Sequence, residues 1–417
     1  MIGYACNFIG DKSLRFRTIR KNNITNEKLT EIISHNLNVL KEIILYNKKN
    51  KIKLFRITSD LIPFGSSEFN TLDWGEVFKE EFAEIGRIIK ESNMRVSMHP
   101  GQYTVINSLR EDVIERAFWD LNYHDKVLNL LNCDKTSKIV LHIGGVYGNK
   151  EEAIIRFIKN YRRLKPSVKN RLIIENDDKS YNIEEVLYIS ENTGAPVVYD
   201  NLHSKINPPS VEKDDLYWIN LAKKTWKKED GRQKVHFSIQ DPDKKPGGHS
   251  KTIYINEFKK FYEDTCGGDI DIMLEVKDKN VSAIKCVNTL EKDKNIKYLE
   301  MEWAKYKYSI LEKSHKSYLE IRKLLKDKKS YPSLEFYNII EESFEIEESP
   351  KDYVNSLNHV WGYFKNKATE KEKNNYFRLL NRYEKGLTKG ELVKNFLYKL
   401  SVKYDEKYLY KSYYFEL

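Results

Sequence analysis

The chain of 417 residues, 40% of them hydrophobic, exceeds one average domain and has room for a barrel of about 250 residues plus a second domain. No apolar run approaches the roughly 18 residues of a membrane span, so we expect neither a membrane protein nor a membrane partner. The net charge of +10 favours a polyanionic partner, although a lysine-rich proteome explains it equally well.

Eight short apolar segments are spaced along the first 290 residues, as buried parallel strands would be. Segments with helical periodicity separate them, and the helix predicted from Ile183 to Asn192 has a capping-box spacing at Asn182 and Glu185 and a stop at Gly194. Eight strand–helix alternations predict an α/β fold, a TIM (β/α)8 barrel. The predicted strands are Ile2–Cys6, Leu54–Ile57, Arg95–Met98, Lys138–His142, Arg171–Glu175, Val197–Asp200, Lys234–Ser238 and Asp271–Glu275.

The pattern changes after about Glu291, because the following residues show helical periodicity and no apolar strand. We predict a barrel domain over residues 1–295 and an additional all-α C-terminal domain over residues 296–417, with a polar linker at Phe344 to Lys351. In the second domain, Trp361-Gly362-Tyr363-Phe364-Lys365 interleaves aromatic and basic residues, which suits stacking on bases. The aromatic core of a helical bundle is the favoured interpretation of this segment.

The cysteines and the N-terminus predict a cytoplasmic protein. Cys6, Cys133, Cys266 and Cys286 are scattered without a CxxC pair, which indicates neither a disulfide framework nor a thiolate zinc site. The chain enters an apolar segment at Ile2 without a preceding basic region, so we expect no signal peptide.

Six of the apolar segments stop on a histidine or a carboxylate at or next to the C-terminal end of a predicted strand, at intervals of 25 to 43 residues. In a parallel barrel the C-terminal strand ends face one shared space, where chemistry collects. A single strand-end histidine is more often an ordinary core residue, but six such positions in series indicate a metal site. They are His99, His142, Glu175, Asp200, His236 and Glu275.

Two further histidines complete a candidate ligand set of five imidazoles and three carboxylates. His203 lies three residues after Asp200, and His249 follows a Pro-Gly-Gly loop, although its pattern alone also fits an ordinary loop histidine. Mixed nitrogen and oxygen ligands suit zinc or manganese better than calcium or an iron–sulfur cluster. Eight ligands exceed the needs of one ion, so we predict two or three divalent ions, with Glu175 able to bridge a pair. Such clusters suit phosphodiester hydrolysis.

The remaining histidines lie within predicted helices and are interpreted as structural or surface residues. They are His35, His124, His315 and His359.

A series of motifs in the same order along residues 1–290 resembles the UV damage endonuclease family. The resemblance implies a TIM barrel, a cluster of divalent metals that is typically manganese, and incision immediately 5′ of a lesion in damaged double-stranded DNA. It also implies that the eight residues above are metal ligands, with Glu175 bridging. The motifs are Gly3-Tyr4-Ala5-Cys6, FRITSDLIPF (Phe55 to Phe64), HPGQY (His99 to Tyr103), LHIGG (Leu141 to Gly145), IENDD (Ile174 to Asp178), DNLHSKIN (Asp200 to Asn207), KVHFS (Lys234 to Ser238) and MLEVKDK (Met273 to Lys279).

Lys234 stands two residues before His236, in register to point into the same barrel end. The resemblance implies a lysine that can be carboxylated on its amine and so supply a further oxygen ligand. The alternative is a strand-end lysine that contacts the DNA backbone. We expect the catalytic residues to be Glu175, Lys234 and His236.

The resemblance also assigns lesion-binding residues. Gln102 and Tyr103 follow a Pro-Gly turn and are implied to wedge into the duplex where two lesion nucleotides flip out. Tyr4 is implied to line the lesion pocket. The chain departs from the family at Ser66-Ser67-Glu68, where relatives often carry a histidine, and this puts one phosphate contact in doubt.

Other interpretations stay open. Sugar isomerases and apurinic/apyrimidinic endonucleases share the barrel and the mixed ligands, but HPGQY and the Lys-x-His pair argue against both. A non-catalytic DNA-binding module would not need the intact ligand set. The C-terminal segment resembles the YbgA-like helical domain of unknown function, through residues Trp303 to Leu325 and His359 to Gly386. This second resemblance implies a fusion of two domains, the second without an assigned activity. For the whole protein we expect a monomer.

Overall fold

The computed structural model describes residues 1–265 and 269–417, so Cys266 lies outside the described residues. The chain divides into two compact units, which we call the barrel unit and the helical unit. The barrel unit comprises Met1–Phe8, Leu14–Ile253 and Glu257–Ile284, and the helical unit comprises Ile9–Ser13, Tyr254–Asn256 and Lys285–Leu417. The expected domain boundary between residues 295 and 296 stays a prediction.

The barrel unit contains a closed ring of parallel strands in which each strand pairs with the next and the last pairs with the first. The predicted TIM barrel is therefore confirmed. Four strands have the predicted bounds, and each of the other four differs by one residue at one end. The strands are β1 Ile2–Ala5, β2 Leu54–Ile57, β3 Arg95–Met98, β4 Lys138–His142, β5 Leu172–Glu175, β6 Val197–Asp200, β7 Lys234–Phe237 and β8 Asp271–Leu274.

The register of the strands brings the polar strand ends side by side. His142 on β4 pairs with Glu175 on β5, and Asp200 on β6 pairs with His236 on β7. The residues directly before them are apolar or aromatic and buried, as expected for strands covered on both faces; they are Leu141, Ile174, Tyr199 and Val235. The candidate ligands thus lie at the C-terminal mouth of the barrel.

Helices connect the strands of the barrel. The predicted capping box is confirmed, because Asn182 accepts from the Glu185 backbone N–H while Glu185 accepts from the Asn182 N–H, and Gly194 ends that helix at φ +76°. The helices are α1 Asn26–Lys49, α2 Trp74–Val77, α3 Lys79–Glu91, α4 Glu111–Leu130, α5 Lys150–Arg163, α6 Pro166–Arg171, α7 Ile183–Thr193, α8 Asn201–Ile206, α9 Asp215–Lys223, α10 Ile255–Asp264 and α11 Asn280–Leu290.

The helical unit packs around an aromatic core. Trp361 and Phe364 are buried, and the Trp361 ring stacks on Tyr376 at 4.3 Å, so the core interpretation is confirmed for these two residues. Tyr363 between them stays partly exposed. The polar connection runs from 346 to 349, which is shorter than predicted. The helices are α12 Lys297–Lys313, α13 His315–Leu324, α14 Ser333–Glu345, α15 Pro350–Trp361, α16 Glu370–Glu384, α17 Gly390–Lys403 and α18 Lys407–Tyr410.

Within residues 1–265 and 269–417, no helix combines the length and the apolar character needed to cross a membrane. Cys6 and Cys133 are free thiols.

Candidate metal centre

Glu175 lies at the centre of the strand-end cluster and is fully buried. Its Oε2 is 3.1 Å from His99 Nε2 and 3.6 Å from His142 Nε2, while its Oε1 contacts His236 Nδ1. Two groups of potential ligand atoms, each within 4.8 Å of one another, share this residue: one adds His99 and His142, and the other adds Asp200 and His236. The two carboxylate oxygens therefore face different groups of imidazoles, which is the arrangement that bridging two ions requires.

Asp200 and His203 are held by the first turn of α8. Asp200 Oδ1 accepts hydrogen bonds of 2.8 Å from the backbone N–H groups of Leu202 and His203. His203 Nδ1 lies 2.9 Å from the carbonyl oxygen of Asn176, so its Nε2 is the nitrogen left for a metal. The side-chain amide of Asn176 also makes two hydrogen bonds to the backbone of Asp200. It accepts from the Asp200 N–H at 2.9 Å and donates to the Asp200 carbonyl oxygen at 3.1 Å. Asn176, which directly follows Glu175, therefore fixes the position of the C-terminal end of β6.

Glu275 extends the cluster around the barrel mouth. Its Oε1 is 3.4 Å from His236 Nδ1, and its Oε2 is 3.6 Å from His249 Nε2. His249, whose loop pattern left its role open, is therefore brought to the site. The fold places all eight predicted ligands in one connected set of contacts, although their roles as ligands stay predictions.

The charges in the cluster favour a bound cation. Burial and the nearby Glu175 and Glu275 carboxylates raise the pKa of Asp200 to about 7, against the opposing effect of His203. Burial alone would lower the pKa of His203, but the Asp200 and Glu175 carboxylates raise it to about 9. Burial alone would raise the pKa values of Glu175 and Glu275, but the nearby imidazoles and, for Glu275, the Arg56 guanidinium lower them well below the ordinary value. These two carboxylates therefore keep a negative charge that a cation can compensate.

Unsatisfied donors and acceptors test whether the residues fit a metal. Asp200 Oδ2 and His142 Nδ1 are buried without a hydrogen-bond partner among the described residues. Buried polar atoms are usually paired, and an ion is one of the partners that explains an exception. Together with the mixed nitrogen and oxygen chemistry, these atoms fit a divalent metal site.

Lys234 lies on β7 two residues before His236, so both side chains share one face of the strand. The side chain is fully buried, and Nζ has no hydrogen-bond partner among the described residues. Burial and the cations of Arg95 and Arg56 lower the pKa of this amine well below its ordinary value, with Asp271 opposing them. This shift favours the neutral amine, which is the form of a lysine that can be carboxylated.

Arg56 on β2 is a site residue that the strand-end pattern missed. Its Nη2 lies 2.6 Å from Glu275 Oε1 and 2.9 Å from His236 Nε2. The signal was present in the sequence, because an arginine inside an apolar strand segment is rarely buried without a partner.

His124 is a core residue, as expected, but it supports the site. It is fully buried, with Nδ1 2.7 Å from the Asp120 carbonyl oxygen and Nε2 2.9 Å from Ser59 Oγ. Ser59 Oγ also donates to the carbonyl oxygen of His99 at 2.8 Å. This connection positions the backbone of the His99 turn.

The residues expected to bind the lesion separate into two groups. Gln102 is exposed and Tyr103 is 69% exposed, as the turn after His99 predicted. Tyr4 is fully buried, packs on Phe55 and donates to Asn47 Oδ1 of α1 at 3.0 Å. The ring therefore points from β1 toward the helix layer, and the expected role of Tyr4 in the lesion pocket stays a prediction.

Ser66, Ser67 and Glu68, where relatives often carry a histidine, border a groove of about 510 Å³ beside Tyr103. Trp119 and Arg116 of α4 line the same groove, and the Trp119 ring is 50% exposed. An aromatic ring and a cation thus lie next to the exposed turn.

Comparisons with known proteins agree on one family. The profile described as UV-endonuclease UvdE matches residues 2–307, and a protein of unknown function (DUF1722) matches residues 307–417. The UV DNA damage endonuclease of Clostridium perfringens (strain 13 / Type A) is 40% identical over 401 residues, which cover 94% of this chain and 95% of the relative. That of Bacillus cereus (strain G9842) is 31% identical over 282 residues, covering 66% and 88%. The crystal structure of SacUVDE matches with a TM-score of 0.65 and 38% identity, over 69% of this chain and 97% of that chain.

Proposed function

Since the chain belongs to the UV-endonuclease UvdE family, we propose that it is a DNA repair endonuclease that nicks duplex DNA immediately 5′ of UV photoproducts by metal-dependent phosphodiester hydrolysis. The proposal rests chiefly on Glu175, whose two buried oxygens face two groups of donors at the barrel mouth. Its substrate is damaged double-stranded DNA, its place of action is the cytoplasm, and it acts as a monomer.

The metal cluster consists of two or three divalent ions, which we propose to be manganese, with zinc also suited to the donors. The ligands are His99, His142, Glu175, Asp200, His203, His236, His249 and Glu275. When bound, the ions supply water activation, neutralisation of the scissile phosphate and stabilisation of the leaving oxygen. The protein contributes orientation: Asn176 fixes the ring of His203, and Ser59 fixes the turn at His99.

Lys234 adds a further oxygen ligand after carboxylation. The neutral amine attacks carbon dioxide, a new N–C bond forms, and one N–H proton leaves to solvent. The product is a carboxylate on a buried side chain. The ammonium form of the same lysine would not react in this way. We include Lys234 with Glu175 and His236 among the catalytic residues.

A substitution at Glu175 tests the proposed function. Glu175→Gln keeps the size of the side chain but removes the charge needed to hold two ions, so we expect loss of incision on a duplex with one defined photoproduct. Loss of even an outer-shell partner of a metal typically lowers activity about 10–100-fold. Metal content should fall while circular dichroism stays unchanged. Glu191→Gln on the exposed face of α7 is the matched control and should cut normally.

The same assay separates the alternative functions. Preferential cutting of an abasic duplex over the photoproduct duplex would favour an apurinic/apyrimidinic endonuclease. Binding without any cutting in the presence of manganese would favour a non-catalytic module. Wild-type rates in Glu175→Gln, with manganese supplied, would contradict the metal assignment itself.

A further inference from the structure

The helical unit presents a cluster of partly exposed aromatic rings with two cations among them. The rings come from α12, α13, α18 and the segment that follows α15, so four separate elements meet there. We call the cluster the tyrosine–cation patch, and its members are Trp303, Lys307, Tyr318, Arg322, Tyr363 and Tyr408. None of these residues belongs to the metal centre, and all but Trp303 lie in or at the edge of the segment matched by the family of unknown function.

The rings of the patch contact one another, and Tyr363 also contacts a buried tyrosine. Tyr363 and Tyr408 stack at 6.1 Å with 19° between their planes, and Trp303 lies 5.4 Å from Tyr318. The buried Tyr308 contacts the Tyr363 hydroxyl oxygen at 2.9 Å and packs edge-on against its ring. Tyr408 is nevertheless 39% exposed. The patch is thus an anchored aromatic surface that water still reaches.

Among the residues that the structure describes, the two cations of the patch have no acidic partner. Lys307 lies 4.8 Å from the centre of the Tyr408 ring, and Arg322 lies 5.6 Å from that of Tyr318. Among the described residues, neither side chain has a carboxylate within 4.0 Å. Burial and the nearby Arg322 both lower the pKa of Lys307, so the two positive charges act on each other.

A second lysine–tyrosine pair of the helical unit differs from the patch, because its lysine has a carboxylate partner. Lys403 lies 4.9 Å from the Tyr404 ring, but its Nζ also contacts Glu372 at 2.6 Å. The charge of Lys403 is therefore compensated within the protein. Lys307 and Arg322 instead leave a positive field among phenol hydroxyl groups, which suits an anion that also presents a flat face.

We propose that the tyrosine–cation patch binds single-stranded DNA, with Lys307 and Arg322 on the phosphates and the rings of Tyr408 and Trp303 against the bases. Single-strand binding sites combine basic residues that follow the backbone with aromatic rings on which bases stack. A simple anion would need no rings, and an apolar ligand would need no cations. The choice of DNA over RNA rests on the proposed function, because flipping and nicking expose unpaired DNA, whereas the site itself does not depend on the metal centre.

Binding of the full-length protein to oligonucleotides in EDTA tests this proposal. Fluorescence anisotropy would compare a labelled dT12 with a 12-mer abasic strand of equal charge. We expect the wild-type protein to prefer dT12 by about tenfold, as base stacking on one or more rings would give. Tyr408→Leu keeps the apolar bulk but removes the aromatic face, so it should lose most of this preference.

Charge variants test the phosphate contacts. Lys307→Gln with Arg322→Gln should weaken the binding of both oligonucleotides. The slope of log affinity against log salt should fall by about 1.4, because each of the two lost phosphate contacts contributes roughly 0.7. Lys403→Gln with Arg378→Gln removes the same charge elsewhere in the helical unit and should leave binding nearly unchanged. The patch variant would have to differ from this control for the proposal to stand.

Three results would overturn the proposal: wild-type dT12 affinity in both patch variants, an equal loss in the control variant, or tighter binding of rU12 than of dT12. The outcome is separable from the proposed function. Glu175→Gln should keep the full dT12 preference, and failure of the wild-type protein to cut damaged duplex would refute the nuclease without changing these titrations.

Discussion

Arg56 Nη2 lies 2.6 Å from Glu275 Oε1, and this pair is almost completely buried at the barrel mouth. The same nitrogen is 2.9 Å from His236 Nε2, while His236 Nδ1 contacts Glu175. Both ring nitrogens of His236 are therefore occupied by protein groups, and metal binding at this ring must displace one contact. Arg56 acts as an internal cation that compensates Glu275 in the metal-free protein.

Removal of Arg56 should destabilise the metal-free protein more than the metal-loaded one. Arg56→Met leaves the Glu275 carboxylate buried without its partner, which typically costs about 3–5 kcal/mol. A bound divalent ion would compensate that carboxylate, so manganese should raise the melting temperature of the variant more than that of wild type. Thermal unfolding with EDTA and with manganese measures this difference. Arg110→Met breaks an exposed pair and should change little. Equal losses with and without metal would contradict the compensating role.

Metal affinity should rise with pH up to about 9. The pKa of His203 is raised to about 9 by Asp200 and Glu175 despite its burial, so the ring holds a proton that a metal must displace. The raised pKa of Asp200, about 7, adds competition at lower pH. Manganese titrations in buffers of different ionisation enthalpy should show proton release at pH 7, and His203→Asn should reduce it. His315→Asn, an exposed histidine, is the control. A pH-independent affinity would contradict this prediction.

DNA affinity should fall steeply as salt is raised. The net charge of +10 favours contacts to phosphates, and each contact releases counterions, so log affinity should decline linearly with log salt. Filter binding or anisotropy on an undamaged duplex between about 50 and 200 mM salt measures the slope. A slope near zero would show that the basic composition has no role in binding.

Lys234 should carry a carboxyl group derived from bicarbonate. Its amine is buried, has no hydrogen-bond partner among the described residues and has a strongly lowered pKa. Protein equilibrated with ¹³C-bicarbonate should give a carbamate carbon signal that Lys234→Ala lacks, and small carboxylates should partly restore incision to that variant. The buried Lys138 provides an internal comparison, because its ammonium pairs with Asp230 and should stay unmodified. Identical ¹³C spectra for wild type and Lys234→Ala would rule the modification out.

The barrel was predictable because the buried parallel strands are short segments dominated by apolar residues and recur between helical segments. The remaining differences lie at strand ends, where ladder pairing stops. Cys6, for example, was placed in the first strand, but its φ of +67° leaves the extended conformation, so the strand ends at Ala5. Such a local change of backbone has no signature in a cysteine.

The site was predictable only where chemistry follows the strand ends. Arg56 was missed because its partners, His236 and Glu275, lie 180 or more residues away and meet it only in the closed ring. The direction of the Tyr4 side chain was not predictable, because a strand that is apolar on both faces does not reveal which residues point inward. Its hydrogen bond to Asn47 shows the outward direction, and that contact depends on how α1 packs.

Lesion recognition should depend on the exposed turn that holds Gln102 and Tyr103. Gln102→Ala with Tyr103→Ala should weaken binding to a photoproduct duplex far more than to an undamaged duplex, because base flipping costs a few kcal/mol and the emptied position would no longer be filled. Competition binding with both duplexes measures this loss, and metal content should stay unchanged. Tyr188→Ala, which removes a ring that is 55% exposed on α7, is the matched control. If the double variant keeps its full lesion preference, the turn only positions His99, and recognition must then involve other exposed groups, with Trp119 in the adjacent groove as the next to substitute.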